Sequence, residues 1–315
     1  MAKATRVAFG EALKRVGESH ENVVVLDADL AGSTNTRKFA DAFPDRFFQL
    51  GIAEGNMVGV AAGMALAGYV PFVASFACFL VGRFEQIRMS VGYSNANVRL
   101  VGTHAGVGIG EDGYSQMGLE DVALMRTLPN MVVVQPADAL EADRATSFLA
   151  DYVGPAYLRL TRQAVPDIFS ENYRFEFGKG VELRRGDDLT LVASGGVVAN
   201  CVEAAEKLAG EGLSVGVVNI HTLKPLDNKL LREIASRCSR IMTVEDHSII
   251  GGLGSAVLES LAEVPGVVVR RHGVLGYGES GSHAELYERH LLDVGGVAAA
   301  ARKFVCTEGE TQATG

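Results

Sequence analysis

The sequence predicts an α/β chain of two doubly wound domains, a larger one built on a mostly parallel sheet followed by a smaller one. Two observations predict this. Short apolar runs alternate with helical patterns along most of the 315 residues, and the alternation lapses once, over residues 163–180, before a second series begins. A chain of this length with 48% apolar residues has core material for two domains of ordinary size. The expected boundaries are 1–165 for the first domain, 166–180 for a linker and 181–306 for the second domain. Residues 307–315, small and polar, are expected to be a frayed tail.

In the first domain the apolar runs 23–26, 47–50, 70–74, 98–102, 131–134 and 156–160 are the expected strands. Residues 54–67 form the most distinctive helix. Gly55, Gly59 and Gly63 lie four apart on one face of it, which permits close approach by another helix. No charge occurs from Met57 to Gly82, a run longer than the roughly 20 residues a spanning helix needs. Gly68 and Pro71 interrupt it, so it reads as a buried helix, a turn and a strand rather than a membrane span. The second series places strands at 189–193, 215–218, 241–244 and 267–269, with helices at 197–209, 228–237 and 253–262.

Twenty-nine basic against 38 acidic residues give a net charge of −9. That argues against duplex nucleic acid or an anionic membrane as partner, because both attract basic surfaces. A small anion remains open to local arginine and histidine. The four cysteines, Cys78, Cys201, Cys238 and Cys306, are far apart and form no Cys-x-x-Cys pair, which fits a reducing compartment, most simply the cytoplasm. The N-terminus lacks the apolar core of a signal segment.

Glu54 stands at the head of the uncharged run. An ionised carboxylate beside apolar walls is costly unless something pairs with it, and a bound cofactor is the expected partner. A favourable charge at a helix start is the simpler alternative. Asp27 and Asp29 fit a metal pair or a strand-end turn, Gly110-Glu111-Asp112-Gly113 fits an acidic turn, and His104 fits a structural histidine. Several of these residues follow strand ends, where parallel sheets bind ligands.

Taken in order, Val25-Leu26-Asp27-Ala28-Asp29-Leu30, Gly51-Ile52-Ala53-Glu54-Gly55-Asn56, Phe76-Ala77-Cys78-Phe79, Gly102-Thr103-His104, Gly110-Glu111-Asp112-Gly113 and Leu160-Thr161-Arg162-Gln163 resemble the C-terminal half of transketolase. That half comprises a pyrimidine-binding domain and a C-terminal domain, and the resemblance covers nearly the whole chain. It implies thiamine diphosphate as cofactor. Glu54 then resembles the glutamate that hydrogen-bonds the aminopyrimidine, favouring the imino tautomer that removes the thiazolium proton; the ylid so formed is the electron sink. By the same resemblance Phe76 and Phe79, three apart on one helical face, wall the aminopyrimidine. Asp29 lies close to the thiazolium and Asp112 reads a sugar hydroxyl. Arg6, Ser33, His104 and Arg162 match the four contacts to a substrate phosphate.

One residue departs from the family. Gly113-Tyr114-Ser115-Gln116 stands where the family has Gly-Pro-Thr-His, so Gln116 replaces a histidine at the donor's hydroxyl end and cannot become cationic. The diphosphate-binding domain, with its Gly-Asp-Gly metal motif, has no counterpart. The resemblance therefore implies a separate N-terminal subunit carrying the diphosphate ligands and those of Mg2+ or another divalent cation, with no metal ligand on this chain. It implies a symmetric assembly with two of each subunit. The expected activity is transfer of a two-carbon ketol unit between sugar phosphates. The alternatives are a subunit of a 1-deoxyxylulose-phosphate-synthase-like or 2-oxo-acid-decarboxylating enzyme, or a non-catalytic regulatory chain. In the second domain, Glu245-Asp246-His247 reads as a strand end and Gly251-Gly252-Leu253-Gly254 as a helix-opening turn; a phosphate loop would lack its lysine. His272 and His283 default to structural roles.

Overall fold

The computed structural model describes residues 2–312, with side chains through Cys306. The tail expected at 307–315 lies outside the described side chains, and residues 313–315 lie outside the described chain. The first half runs β1 (Lys3–Ala4), α1 (Thr5–Ser19), β2 (Val23–Asp27), α2 (Ala31–Thr34), α3 (Arg37–Ala42), β3 (Phe47–Gln49), α4 (Glu54–Leu66) and β4 (Val70–Phe76). It continues through α5 (Ala77–Val81), α6 (Phe84–Gln86), β5 (Arg99–Thr103), α7 (Asp121–Thr127), β6 (Val132–Val134), α8 (Ala139–Asp151), β7 (Ala156–Arg159) and β8 (Ala164–Val165). The second half comprises β9 (Val181–Arg184), β10 (Leu189–Ala193), α9 (Val198–Ala209), β11 (Val215–Asn219), β12 (Thr222–Lys224), α10 (Asn228–Arg237) and β13 (Arg240–Ser248). After these come α11 (Leu253–Leu261), β14 (Val268–Val274), α12 (His283–Arg289) and α13 (Val294–Gln312).

The larger sheet has the order β12-β6-β7-β5-β4-β2-β3 and is parallel except at β12. Its six parallel strands are the six expected apolar runs. Every residue of β2, β4, β5, β6 and β7 is buried, as strands covered on both faces must be, and their continuous apolar patterns reflect that. The smaller sheet, β14-β13-β10-β11-β9, is parallel except for the edge strand β9.

Three features were not expected. The seventh strand of the first sheet, β12, comes from the second half of the chain, where Thr222 pairs with Val134 and covers the β6 edge. A two-stranded antiparallel ribbon, Lys3↔Val165 and Ala4↔Ala164, ties the N-terminus to the segment after β7. The linker is also docked rather than loose: Ile168 and Phe169 donate their backbone N–H groups to Asp138 at 2.8 Å each, and the Tyr173 hydroxyl donates to Glu141 at 2.6 Å. One buried apolar cluster runs from Leu26 and Met57 through Met125 and Val133 to Ile220 and Leu231, joining the two halves.

The run from Met57 to Gly82 is a helix, a turn and a strand, as expected, but it ends in the further short helix α5 and its first helix is buried on one face only; no helix among the described residues is long and apolar enough to cross a membrane. On α4, Met57, Val58, Ala61 and Ala62 face the core. The opposite face is open: a Cβ added at Gly59 or Gly63 would meet nothing within 4 Å. Among the described residues no helix packs on Gly59 or Gly63; only Gly55 has neighbours, a Cβ there lying 3.7 Å from Arg83 and 3.8 Å from Gln86.

Candidate active site

β3 lies on one side of β2 and β4 on the other, so the sheet changes direction between them and opens a crevice at the strand C-termini. The predicted residues gather around those ends. Asp29 follows β2, Glu54 follows β3, Phe76 closes β4, His104 follows β5 and Arg162 follows β7.

Glu54 opens α4 and is 5% exposed, yet no hydrogen bond or ion pair reaches its carboxylate among the described residues. A charge at a helix start favours the dipole without needing burial. Glu54 therefore leaves its carboxylate without a partner inside the chain. Phe76 and Phe79 lie parallel, with centroids 5.4 Å apart and planes inclined by 8°. They do not share a helical face as expected. Phe76 is the last strand residue and Phe79 lies inside the short α5, so the strand-to-helix turn, not helical periodicity, brings the rings together. Phe76 also stacks on the His104 ring at 3.7 Å.

Asp27 and Asp29 form a turn and not a metal pair. The buried Asp27 carboxylate accepts from the Leu30 N–H at 2.6 Å and from the Thr34 and Thr36 hydroxyls at 2.9 Å each. Asp29 is exposed with φ 63°, left-handed backbone that a non-glycine residue seldom adopts. Among the described residues no group of three His, Cys, Asp or Glu side chains is arranged to hold a metal ion.

Arg6, Ser33, His104 and Arg162 converge. The terminal ribbon sets Arg6, at the start of α1, near Arg162, and Thr161 reinforces it by donating its N–H to the Thr5 hydroxyl at 2.7 Å. Arg6 donates to the Ser33 carbonyl and stands 3.4 Å from His104 Nε2, while its own Nε is buried without a partner. Arg162 donates to the Ile109 carbonyl and to Glu111 at 3.1 Å. Burial, and then the Arg6 and Arg162 charges, pull His104 down to about 3, so the ring is neutral at pH 7. With Arg6 donating to Nε2, the ring proton belongs on Nδ1, 2.8 Å from the Thr103 hydroxyl, which in turn donates to the Ser75 carbonyl. Burial, and then the nearby Arg162 cation, also lower Arg6. Two guanidiniums that repel each other around a neutral donor and acceptor form a corner that an anion would stabilise.

Asp112 and Gln116 sit on the loop between β5 and α7. Asp112 is exposed and Gln116 half-buried at the end of a 3₁₀ turn, Tyr114–Gln116. No hydrogen bond links either side chain to the Arg6–His104–Arg162 corner among the described residues. In the second domain the glycine turn is no phosphate loop. The Glu245 carboxylate fills the start of α11 itself, accepting from the Leu253 and Gly254 N–H groups at 2.7 and 2.8 Å, and burial pushes it up to about 7. Asp246 lies inside β13 rather than at a strand end. His272 is structural, 2.7 Å from the Leu291 carbonyl.

Thr103, which orients His104, and Glu111, which engages Arg162, were passed over. The signal for both lay in quoted motifs, Gly-Thr-His and Gly-Glu-Asp-Gly, where adjacency to a candidate is the only hint of its partner. Asp246 stood in a quoted motif, Glu245-Asp246-His247, but nothing there points to its partners, which are about 140 residues away in the chain.

Residues 1–167 match the family model of the transketolase pyrimidine-binding domain and residues 178–297 that of the transketolase C-terminal domain. The chain is 44% identical to the putative transketolase C-terminal section of Methanocaldococcus jannaschii over 296 residues, covering 92% of this chain and 93% of the relative. It is 39% identical to the 6-deoxy-6-sulfo-D-fructose transketolase subunit of Clostridium sp. (strain MSTE9), covering 91% and 90% of the two chains. Among solved structures it is similar to a split-gene transketolase described as an inactive β4 tetramer, with a TM-score of 0.87, 45% identity and coverage of 96% and 98%. The chain therefore belongs to the transketolase family, whose members depend on thiamine diphosphate, and carries that family's pyrimidine-binding and C-terminal domains as its split subunits do.

Proposed function

We propose that this chain is the C-terminal subunit of a two-part transketolase that moves a two-carbon ketol unit between sugar phosphates, and that it works only with a separate N-terminal subunit. The observation that carries this reading is the buried residue Glu54, its carboxylate without a partner in the chain, at the same sheet crevice as the stacked Phe76–Phe79 pair. Those residues fit an aminopyrimidine: Glu54 to accept a hydrogen bond from it, Phe76 and Phe79 to wall it, and Asp29 to lie near the thiazolium. Bound thiamine diphosphate supplies the electron sink for breaking a carbon–carbon bond beside a carbonyl. Arg6, Ser33, His104 and Arg162 hold the substrate phosphate, with charge from the arginines and a neutral hydrogen-bonding ring from His104. Asp112 and Gln116 read the sugar hydroxyls. The sulfosugar named for the Clostridium relative also ends in a tetrahedral oxyanion, so this corner suits either anion. Gln116 is the position where donor choice is expected to differ.

The partner subunit supplies the diphosphate and divalent-metal ligands, Mg2+ by default, in a two-plus-two assembly. The open glycine face of α4 supports an inter-chain contact beside Glu54, flanked by Ile52 (82% exposed) and Leu66 (74% exposed). We place the enzyme in the cytoplasm on its four free cysteines.

Calorimetry tests the divided site. The chain alone is expected to show no binding at micromolar thiamine diphosphate, and saturable binding is expected once the N-terminal subunit is added. Tight stoichiometric binding by the chain alone would sink the proposal. In the assembled enzyme, Arg162→Ala is expected to raise KM for a sugar phosphate roughly 10- to 100-fold, the loss of one charge-assisted contact of about 1.5–3 kcal/mol. An unphosphorylated donor should be little affected. Equal effects on both substrates would remove the phosphate assignment.

A further inference from the structure

We propose that Asp246 and Tyr287, in the C-terminal domain, are positioning residues that clamp the loop after His104 in its substrate-binding conformation. This rests on the functional reading above and gives the second domain a task in catalysis. The Asp246 carboxylate accepts from two successive loop amides, Val107 N–H at 2.7 Å and Gly108 N–H at 3.2 Å, and from the Tyr287 hydroxyl at 3.0 Å. Gln163, next to Arg162, donates to the Tyr287 hydroxyl at 3.2 Å. The fit leaves no slack: Gly106 has φ 84°, and a Cβ there would collide with the Asp246 carboxylate, while one at Gly108 would collide with Gln163.

The clamp reaches both sides of the anion corner. Ala105, Gly106 and Val107 follow His104 directly, and Ile109 of the same loop accepts from Arg162. Further along, Tyr114 meets Tyr277 of the second domain edge-on at 4.5 Å, just before Gln116. Loop residues 107–110 are buried, and the loop carries Asp112 and Gln116 at its open end. A carboxylate bridging two amides is well suited to fixing a loop, because each charge-assisted bond is about twice as strong as a neutral one.

The test uses Tyr287→Phe, which removes only a hydroxyl, and Asp246→Asn, which turns one acceptor into a donor facing an N–H. In the assembled enzyme both are expected to raise KM for a sugar phosphate about tenfold or more, with kcat within about threefold and thiamine diphosphate affinity unchanged, as for a lost ground-state contact. In the full chain alone, hydrogen–deuterium exchange at Val107 and Gly108 is expected to speed at least about tenfold, while β2 stays protected. Unchanged KM overturns the proposal even if exchange quickens, and so does a parallel fall in kcat and thermal midpoint, which marks a purely structural role. Should the wild-type complex transfer no ketol unit, the functional reading fails by itself. Exchange that stays slow in both variants overturns the clamp whatever the substrate.

Discussion

Glu54→Gln in the assembled enzyme is expected to lower turnover by roughly 10²–10⁴-fold, the range for losing a positioned acid–base group, while the chain melts at the same temperature or higher. The two halves of this expectation follow from one fact. Glu54 is 5% exposed as a residue and its carboxylate receives no hydrogen bond or ion pair among the described residues, so in the chain alone its replacement breaks no contact. Glutamine has the same size, and substituting it removes no contact that the chain makes. A residue kept for stability would lose stability on substitution; a residue kept for function at the expense of stability shows the opposite trade. Turnover of the complex and the thermal midpoint of the chain are the two measurements. If both fall together, Glu54 is a structural acid and the cofactor assignment goes with it.

The apolar runs made the parallel strands legible: β2, β4, β5, β6 and β7 are buried on both faces and so mostly apolar, and the partly buried β3 shows itself through Phe47 and Phe48. The short or amphiphilic strands were not legible. β12 is the three residues Thr222–Lys224, and it becomes a strand only because the β6 edge is there to pair with. The ribbon of β1 and β8 has two residues on each side and no local pattern at all, yet it brings Arg6 to Arg162. At the site, Glu54 stood out because an acid beside a long uncharged run conflicts with its neighbours, and conflicts of that kind mark function. The proximity of Arg6, Ser33, His104 and Arg162 came from the family resemblance alone, since four strand-end segments must meet before any of them has a neighbour. Phe76 and Phe79 were paired correctly for the wrong geometric reason: i and i+3 meet across a strand-to-helix turn here, as they do on a helix.

Breaking the buried Arg159–Asp121 pair should produce the largest change in stability. Arg159 and Asp121 are 2% and 0% exposed; the guanidinium donates to Oδ2 at 2.7 Å and to Oδ1 at 3.1 Å. The Tyr157 hydroxyl adds a bond to Oδ2 at 2.7 Å. The same guanidinium donates to the Gly118 carbonyl at 2.8 Å and the Asp246 carbonyl at 3.0 Å, so it ties the start of α7 and the end of the site loop to the second domain. Arg159→Met leaves Asp121 charged and buried without its partner, which is expected to cost about 3–5 kcal/mol at neutral pH. Adding Asp121→Asn removes the stranded charge and should recover part of that loss. Acidification separates this mechanism from simple packing damage. Burial pushes Asp121 up, but the Arg159 and His247 charges outweigh it and hold the carboxyl below the ordinary range. In the native protein its contribution is therefore present above about pH 3.9 and is lost as pH falls through the lower folded value. His247, which burial lowers to about 4, erodes stability earlier, from about pH 6.5 downward, because the unfolded chain takes up a proton that the folded chain refuses. Without Arg159, only His247 and the Tyr157 hydroxyl still oppose desolvation of Asp121, its carboxyl rises, and protonation relieves the stranded charge at a pH where the native pair is still intact. The deficit of Arg159→Met, measured by urea denaturation, should then narrow between pH 7.5 and pH 5. A deficit that is the same at both pH values, or smaller than about 1 kcal/mol at pH 7.5, would show that the pair is not the electrostatic anchor of this junction.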